Sequence, residues 1–528
     1  MARAHSDFSW RSSRGVFWGA TILAPPLGLI VLWLSPRPGV VRKLAGSVAL
    51  IVLTLAYLYF LLGMRLQTAG TGVPSIVVFE TREDRFRAVD EHRAQQRAAA
   101  LREPAPDVTP GAPVAQTPLS MDGPAPEGSP VPSETPDVAE PCAAASDCWT
   151  NYRGPHRAGE YLGAIRTDWG EGLQPMWRQP AGGGYASFSI AQGRAFTIEQ
   201  RHEKEVAAAY DVWTGRELWT NSWPEYFREA MGGDGPRATP TWSDGFVYAL
   251  GATGELRKLD ASDGSVLWRK NILDDAGAAN LTWGMAASPL VADGMVIVNP
   301  GGRGASFVAY DVESGESIWR SLDDGAAYTA PMMATLAGQR QLLVVSARRL
   351  MGLRVENGAL LWDYPWTTSY DVNAAQPIVV DASRVFLSAG YGHGAALVEV
   401  TRRGDDFEAR PVWENIHMKN KFTSSVLHEG YLYGLDEAIL ACVDARTGER
   451  MWKGGRYGYG QVLLASGHLI VLGEQGELAL VRATPEKLDE RARFSAIEGK
   501  TWNHPALAGG ILLVRNLREM AAFDLRPR

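Results

Sequence analysis

An all-β head in the form of an eight-bladed β-propeller, preceded by a pair of N-terminal transmembrane helices, is the fold class that this 528-residue sequence predicts. Three observations predict it. One phrase, DxxxGxxxW, is written repeatedly; its tryptophans recur at the spacing of propeller blades; and two long uncharged stretches stand near the start.

The stretches are residues 15–34, GVFWGATILAPPLGLIVLWL, and 44–64, LAGSVALIVLTLAYLYFLLGM. Each is about as long as the ~20 apolar residues that span a bilayer, so two membrane helices are expected behind a basic tail, 1–14. A cleaved signal peptide is the competing reading; against it, Pro25-Pro26 interrupts the first stretch and no small-residue cleavage site ends the second. Arg3, Arg11 and Arg14 in the tail nearly balance Arg37, Arg42 and Lys43 in the intervening loop, so the positive-inside rule does not choose an orientation.

The composition then shifts twice. Within the juxtamembrane segment 65–103, residues 79–103 are rich in Arg, Glu, Gln and Ala with little apolar stripe, which predicts a short solvated helix. The linker 104–148 carries a proline every few residues up to Pro141, and no Lys or Arg occurs between Arg102 and Arg153. Such a stretch buries no core and is expected to be an extended spacer holding a globular head away from the membrane. Cys142 and Cys148 follow it, either as a short-loop disulfide of an oxidising compartment or as two unpaired thiols; Cys442, in ILACVD, reads as a buried small hydrophobe.

The head, 149–528, is built from the phrase itself. AAYDVWTGRELW (208–219), LDASDGSVLW (259–268), YDVESGESIW (310–319) and VDARTGERMW (443–452) are four copies. Trp177, Trp219, Trp268, Trp319, Trp362, Trp413, Trp452 and, in their place, Phe494 are separated by 39 to 51 residues, with alternating strand pairs and turn residues before each. Gly215, Gly264, Gly315, Gly358 and Gly448 sit where a tight turn wants positive φ, and Asp211, Asp260, Asp311 and Asp444 can accept backbone N–H groups across that turn. The tryptophan then offers a flat face to the neighbouring blade. Strand pairs begin near Phe196, Val247, Val296, Leu342, Val385, Leu432, Ile470 and Leu512, which gives eight blades. The last lacks an outer strand and Trp177 lacks upstream partners, so PMWRQP is expected to close the final blade and cover its edge.

Net charge is -7 and the pI about 5.8, which provides no positive field for nucleic acid. Candidate ligand residues come from the inner strands, whose ends line a propeller's funnel: YASFS, RATP, GMAASP, YTAP, NAAQP, KFTSS, GYGQV and WNHP. Arg237, Asn280, Trp283, Asn373, Lys419, Lys421, Arg456, Gln461, Trp502, Asn503 and His504 are expected to converge on one mouth, with Glu199 joining them. Cations, amides and indoles around a concavity suit a planar anionic or carboxylate-bearing ligand. In the competing reading these groups bond carbonyls of neighbouring strands and fill the channel. His393 is a lone histidine, and no Cys/His metal spacing or Ser-His-Asp arrangement is legible, so no catalytic or metal-ligating residue is assigned.

The order Asp, Thr/Ser/Asp-Gly, Trp over residues 149–528 resembles the quinoprotein-like family of pyrroloquinoline quinone (PQQ) repeat propellers, and WTNYRGPHRAG, 149–159, is similar to the opening segment of its membrane-anchored or secreted bacterial members. The resemblance implies either a PQQ-dependent alcohol or sugar dehydrogenase, with calcium, passing electrons to the membrane, or a BamB-like non-catalytic scaffold. The dehydrogenases pair adjacent cysteines beside the quinone and carry long insertions between blades; this chain does neither. The expectation is therefore a bacterial inner-membrane protein with a periplasmic propeller that binds a protein or a small anionic ligand.

Overall fold

The computed structural model describes residues 30, 32–34, 39–60, 64–68, 74–78, 82–100 and 148–528. They fall into two compact units, Met1–Arg85 and Phe86–Arg528. In the first, helix α1 (Val40–Phe60) is followed by an antiparallel hairpin of Met64–Thr68 and Pro74–Val78. Most of the first expected membrane stretch, 15–34, and the last residues of the second lie outside the described residues. Among the described residues no helix is long and apolar enough to cross a membrane, so the expected pair of spans is not shown.

The second unit is an eight-bladed propeller. Seven four-stranded antiparallel sheets and one with a fifth strand stand around an axis, and in all but one the four antiparallel strands are a simple meander of neighbours in sequence. Blades 1 to 7 occupy 189–223, 241–271, 290–321, 332–365, 378–415, 426–456 and 461–495. Blade 8 is made from both ends of the head: its inner three strands lie within 506–524, and its outer strand is Trp177–Pro180, paired antiparallel with Glu519–Asp524 so that Trp177 faces Ala522. The closure read from the orphaned tryptophan phrase is therefore present. The sequence reading missed the fifth strand of blade 7, where Glu160–Tyr161 adds in parallel to Gln461–Ala465.

The repeated phrase acts between blades. Each Asp closes its own turn: Asp211 Oδ1 accepts from the backbone N–H of Thr214 at 2.8 Å, and Asp311 and Asp444 accept at the same length from Ser314 and Thr447. The turn glycine, at φ +71° in Gly215 and +77° in Gly264, lies under the preceding blade's indole; a Cβ on Gly264 would stand 2.5 Å from the Trp219 ring. Each indole N–H reaches a carbonyl of the next blade: Trp177 to Val212 at 2.8 Å, Trp219 to Ala261 at 3.0 Å, Trp268 to Val312 at 3.0 Å, Trp319 to Val355 at 3.1 Å, Trp413 to Ala445 at 3.1 Å and Trp452 to Thr484 at 2.8 Å. Trp362 departs, donating instead to Gln341 in its own blade, because the long hairpin of blade 5 offers it no such turn. Two residues beyond the tryptophan, Gln179, Asn221, Ser321 and Asn415 donate to the carbonyl of the facing glycine, a second latch that the sequence reading did not single out.

Helix α2 (Arg82–Ala100) was expected to be solvated. From Phe86 onward it instead packs on the propeller, and Phe86, Val89 and Arg93 are at most 2% exposed. Cys148 and Cys442 are buried, and Cys142 lies outside the described residues.

Candidate functional site at the channel mouth

The inner strands of all eight blades enter the axis in one register. Three residues before the recurring proline of blades 2, 3, 4, 5 and 8, or its equivalent in the others, stand Tyr185, Arg237, Ala286, Tyr328, Ala374, Phe422, Tyr459 and Trp502. Five of these eight positions are aromatic. Their rings form a crescent in which the centroids of Tyr459 and Phe422 are 5.4 Å apart, Phe422 and Trp502 4.6 Å, and Trp502 and Tyr185 5.1 Å. Trp283 pairs with Tyr328 at 5.7 Å on the other side. Half-exposed Ala286 and Ala374 leave the mouth lower at blades 3 and 5.

Cations sit on these rings. Arg237 lies 4.6 Å from the Phe227 centroid and 5.7 Å from that of Tyr185, Lys500 3.5 Å from Trp502, and Lys421 4.7 Å from Tyr459 and 5.1 Å from Tyr391. Acids stand behind them: Glu474 accepts from the Trp502 indole at 2.9 Å, Glu437 from the Tyr459 hydroxyl at 2.8 Å, and Glu229 is 3.7 Å from Arg237. Burial pushes the Lys500 amine down to about 8, against the pull of Glu474 and Glu229, while burial drives the Tyr185 phenol up.

Four of the predicted residues, Arg237, Trp283, Lys421 and Trp502, meet at this mouth. Others lie deeper and bond the framework. Asn373 donates to the carbonyls of Ser346, Ala347 and Trp366, Gln461 to Phe422 and Trp502, and Asn503 to Gly184 and Ala186. With hydroxyls such as Thr239 and Ser288, which accept from the backbone of Ser187 and Thr239, they form a belt joining neighbouring inner strands. Lys419 is paired with buried Asp436 at 2.6 Å, Asn280 is tied to the Ala252 carbonyl, and Arg456 is exposed at the end of an outer strand. Glu199 does not join the mouth: it is fully buried between blades 1 and 8, accepting from Tyr210 at 2.5 Å and from the backbone of Gly182 at 2.6 Å. Burial raises its carboxyl, but Arg201, Arg515 and Arg93 pull it down further, to about 2.

The channel is stopped below the belt by the opening segment, 149–159. Arg153 donates to the Ser425 carbonyl at 2.6 Å, Arg157 to those of Ser288 at 3.0 Å and Pro289 at 2.5 Å, and Leu464 donates to the Gly159 carbonyl, so the segment ties together inner strands from several blades. His504 ends here and not at the mouth, with its ring stacked on Trp149 and 3.3 Å from Arg153. Burial lowers its imidazole to about 3, and lowers the two guanidiniums to about 10 and about 9. An open cleft of about 740 Å³ lies elsewhere, between Arg166, Trp169 and Leu173 and the stretch from Asp524 to Arg528.

Tyr185, Tyr328, Phe422, Tyr459 and Lys500 were missed by sequence reasoning, although the shared register of the first four was legible in the inner-strand alignment. Their chemistry bears on the quinone reading. The crescent's rings pack on one another, Phe422 and Trp502 with centroids 4.6 Å apart and both of their carbonyls bonded by Gln461, so these faces are already covered by protein. Among the described residues no three acidic, His or Cys side chains gather as a metal site. The residues present do not fit PQQ with calcium.

Residues 202–454 match the family of the outer membrane protein assembly factor BamB. The BamB of Burkholderia pseudomallei (strain K96243) is 24% identical over 375 residues, which cover 67% of this chain and 88% of that protein. The propeller is BamB-like. A second BamB, from Bordetella pertussis (strain Tohama I), is 21% identical over 253 residues, 46% of this chain and 58% of that one. The crystal structure of BamB from Moraxella catarrhalis superposes with a TM-score of 0.50 at 14% identity, over 66% of this chain and 99% of that one. A europium-containing methanol dehydrogenase superposes with a TM-score of 0.55 at 12% identity, over 72% and 98%. At such identities the superpositions show that a BamB-like propeller and a dehydrogenase propeller share this fold, and no more.

Proposed function

We propose that the chain is a non-catalytic scaffold whose propeller binds a protein partner through the mouth face, and that it is held at a bacterial membrane with the propeller on the periplasmic side. The observation that carries the scaffold reading is the filled mouth. Ring-on-ring contacts, cations already seated on those rings and a plugged channel leave a broad aromatic and charged face in place of a cofactor cavity. Aromatic faces of this kind, here with Arg237 among them, are where protein interfaces concentrate their binding energy. The match to a family named for outer membrane assembly supports an envelope role.

The membrane reading rests on α1. Val40, Val41, Leu44, Val48, Ile51, Val52, Leu53 and Leu55 are all exposed, between 46% and 80%, around one helix. At about 25 cal/mol per Å² such a surface is costly in water and favourable in hydrocarbon. Residues 44–64 would then be the membrane segment, and 15–34 its partner.

A photoreactive residue in place of Tyr370, which is 72% exposed beside Tyr391 at the mouth, tests the scaffold in intact cells. A single reproducible adduct lost in Lys421→Ala is expected. Quinone absorbance and dye reduction after loading the full chain with PQQ and calcium would overturn it. Extraction of the chain from membranes by carbonate alone would overturn the anchor.

A further inference from the structure

We infer that the seam between blades 8 and 1 is a helix-binding groove whose occupant is this chain's own α2, and that α2, not the proline-rich stretch, ties the propeller to the segments before it. This seam differs from the other seven because it is where the two ends of the head meet. Its outer wall is Trp177–Pro180, belonging to blade 8, and its other wall is the turn and outer strand of blade 1 around Gly215 and Glu217.

The helix touches both walls. Phe86, Val89 and Arg93, at i, i+3 and i+7, fall on one face and are the buried ones. Arg93 donates to Gln179 at 2.7 Å and to the Pro180 carbonyl at 3.1 Å on blade 8, stands 4.9 Å from the Tyr210 ring centroid, and reaches Glu217 at 3.4 Å on blade 1. Gln96 lies within 2.9 Å of Gln179 and also bonds the Gly215 carbonyl and the Glu217 N–H, both at 3.4 Å. Farther up, Asp90 meets His202 at 2.8 Å and Phe86 stacks obliquely on the same imidazole.

Gln179 is the hinge of the arrangement. Like Asn221 and Asn415 at other seams, its amide nitrogen latches the facing glycine carbonyl, here Gly215 at 2.7 Å. Its oxygen, however, is taken by Arg93, Gln96 and His92, all on α2. Behind it lies a buried charged cluster: Glu217 bonds Arg201 at 2.6 Å, Arg201 reaches Glu199 at 3.4 Å, and Arg515 of blade 8 crosses to Thr197 at 2.5 Å. The seam is polar here, and Arg93 completes it. A buried ion network of this type confers geometric specificity on the element that completes it.

Residues 101–147 join α2 to Cys148, and both the helix and Cys148 are seated on the propeller.

Hydrogen exchange on the full chain tests the inference. Amides of 86–97 should be protected like the propeller's own strands, and Arg93→Ala should speed exchange about tenfold or more in α2, in Trp177–Pro180 and in Glu217–Trp223, with blades 3 to 5 unmoved. Solvent-like exchange of α2 in the native chain, or an unaltered closing strand in Arg93→Ala, overturns it. Should Arg93→Ala not fold, a photoreactive residue at position 92 of the otherwise native chain decides: adducts to peptides containing Gln179 or Gly215 support the groove, and their absence overturns it.

Discussion

The indole and the glycine it covers are one unit, and this makes their substitution energies dependent. Trp219→Ala should cost about 3–5 kcal/mol, the usual range for a large buried aromatic. Gly264→Ala should cost at least about 2 kcal/mol, because a Cβ 2.5 Å from the ring must displace it and the residue must also hold a φ of +77°. Once Trp219 is removed only the left-handed backbone remains, so the same glycine change should cost about 1 kcal/mol. Urea midpoints of the four proteins measure the difference; additivity within error would mean that the indole does not rest on that turn. A second residue-scale prediction concerns Glu205, which is fully buried and accepts from the Trp223 indole at 2.9 Å and the Ala252 N–H at 3.0 Å. Burial raises its carboxyl from the ordinary 4.5 to about 7, outweighing those bonds. A raised acid favours the fold when protonated, so stability declines as pH rises from about 4.5 to about 7 and is level above, a loss of about 3 kcal/mol. Glu205→Gln should therefore gain stability relative to the native chain between pH 5 and pH 8, and an equal difference at both pH values would refute the assignment.

At the scale of elements, the plug 149–159 carries the opposite pH dependence. His504 faces Arg153, Trp149 and the carbonyls of Val462 and Pro505, with its imidazole held neutral down to about 3. The unfolded chain takes up that proton near 6.5, so the contribution is complete above 6.5 and is lost as pH falls toward 3, about 2–3 kcal/mol by pH 4.5. Amide exchange in 149–159 should accelerate on acidification, and His504→Asn should flatten that slope; parallel acid profiles would exclude the histidine. These elements also mark what the sequence could reveal. Strands were legible because alternation and DxxxG turns are local signals, and every expected strand start falls inside an observed second strand. The mouth was half legible: Arg237 and Trp502 announced themselves as polar or large residues at a small-residue position, whereas Tyr185, Tyr328, Phe422 and Tyr459 looked like ordinary strand residues until their common register was seen in space. Asn373, Gln461 and Asn503 misled because an amide that bonds carbonyls and one that bonds a ligand have the same letter. The docking of α2 was invisible because its buried face includes an arginine, which composition counts as solvated.

For the whole molecule, closure is the property on which the rest depends. Seven blades take their four antiparallel strands from contiguous chain, and five of them reach the next through the same indole N–H donated to a carbonyl. Blade 8 takes one of its four strands from the other end of the head, through four paired positions from Trp177 with Ala522 to Pro180 with Glu519. Helix α2 is seated on this join, so two separate segments from the N-terminal side, α2 and the closing strand, hold one seam. A chain beginning at Gly182 would keep every hydrophobic strand of blade 8 but leave Glu519–Asp524 as an open edge, and an unpaired apolar edge invites strand pairing with another molecule. Such a chain is expected to elute as dimers and larger species and to unfold at lower temperature than a chain beginning at Phe86, which retains α2, the plug and the closing strand. Adding a synthetic peptide that spans 174–182 should return part of the lost temperature midpoint and shift the elution toward monomer, since the edge then finds its native partner. A monomeric truncated chain with an unchanged midpoint would show that the five other indole latches suffice, and that the join at Trp177 is an ornament of the fold and not its fastening.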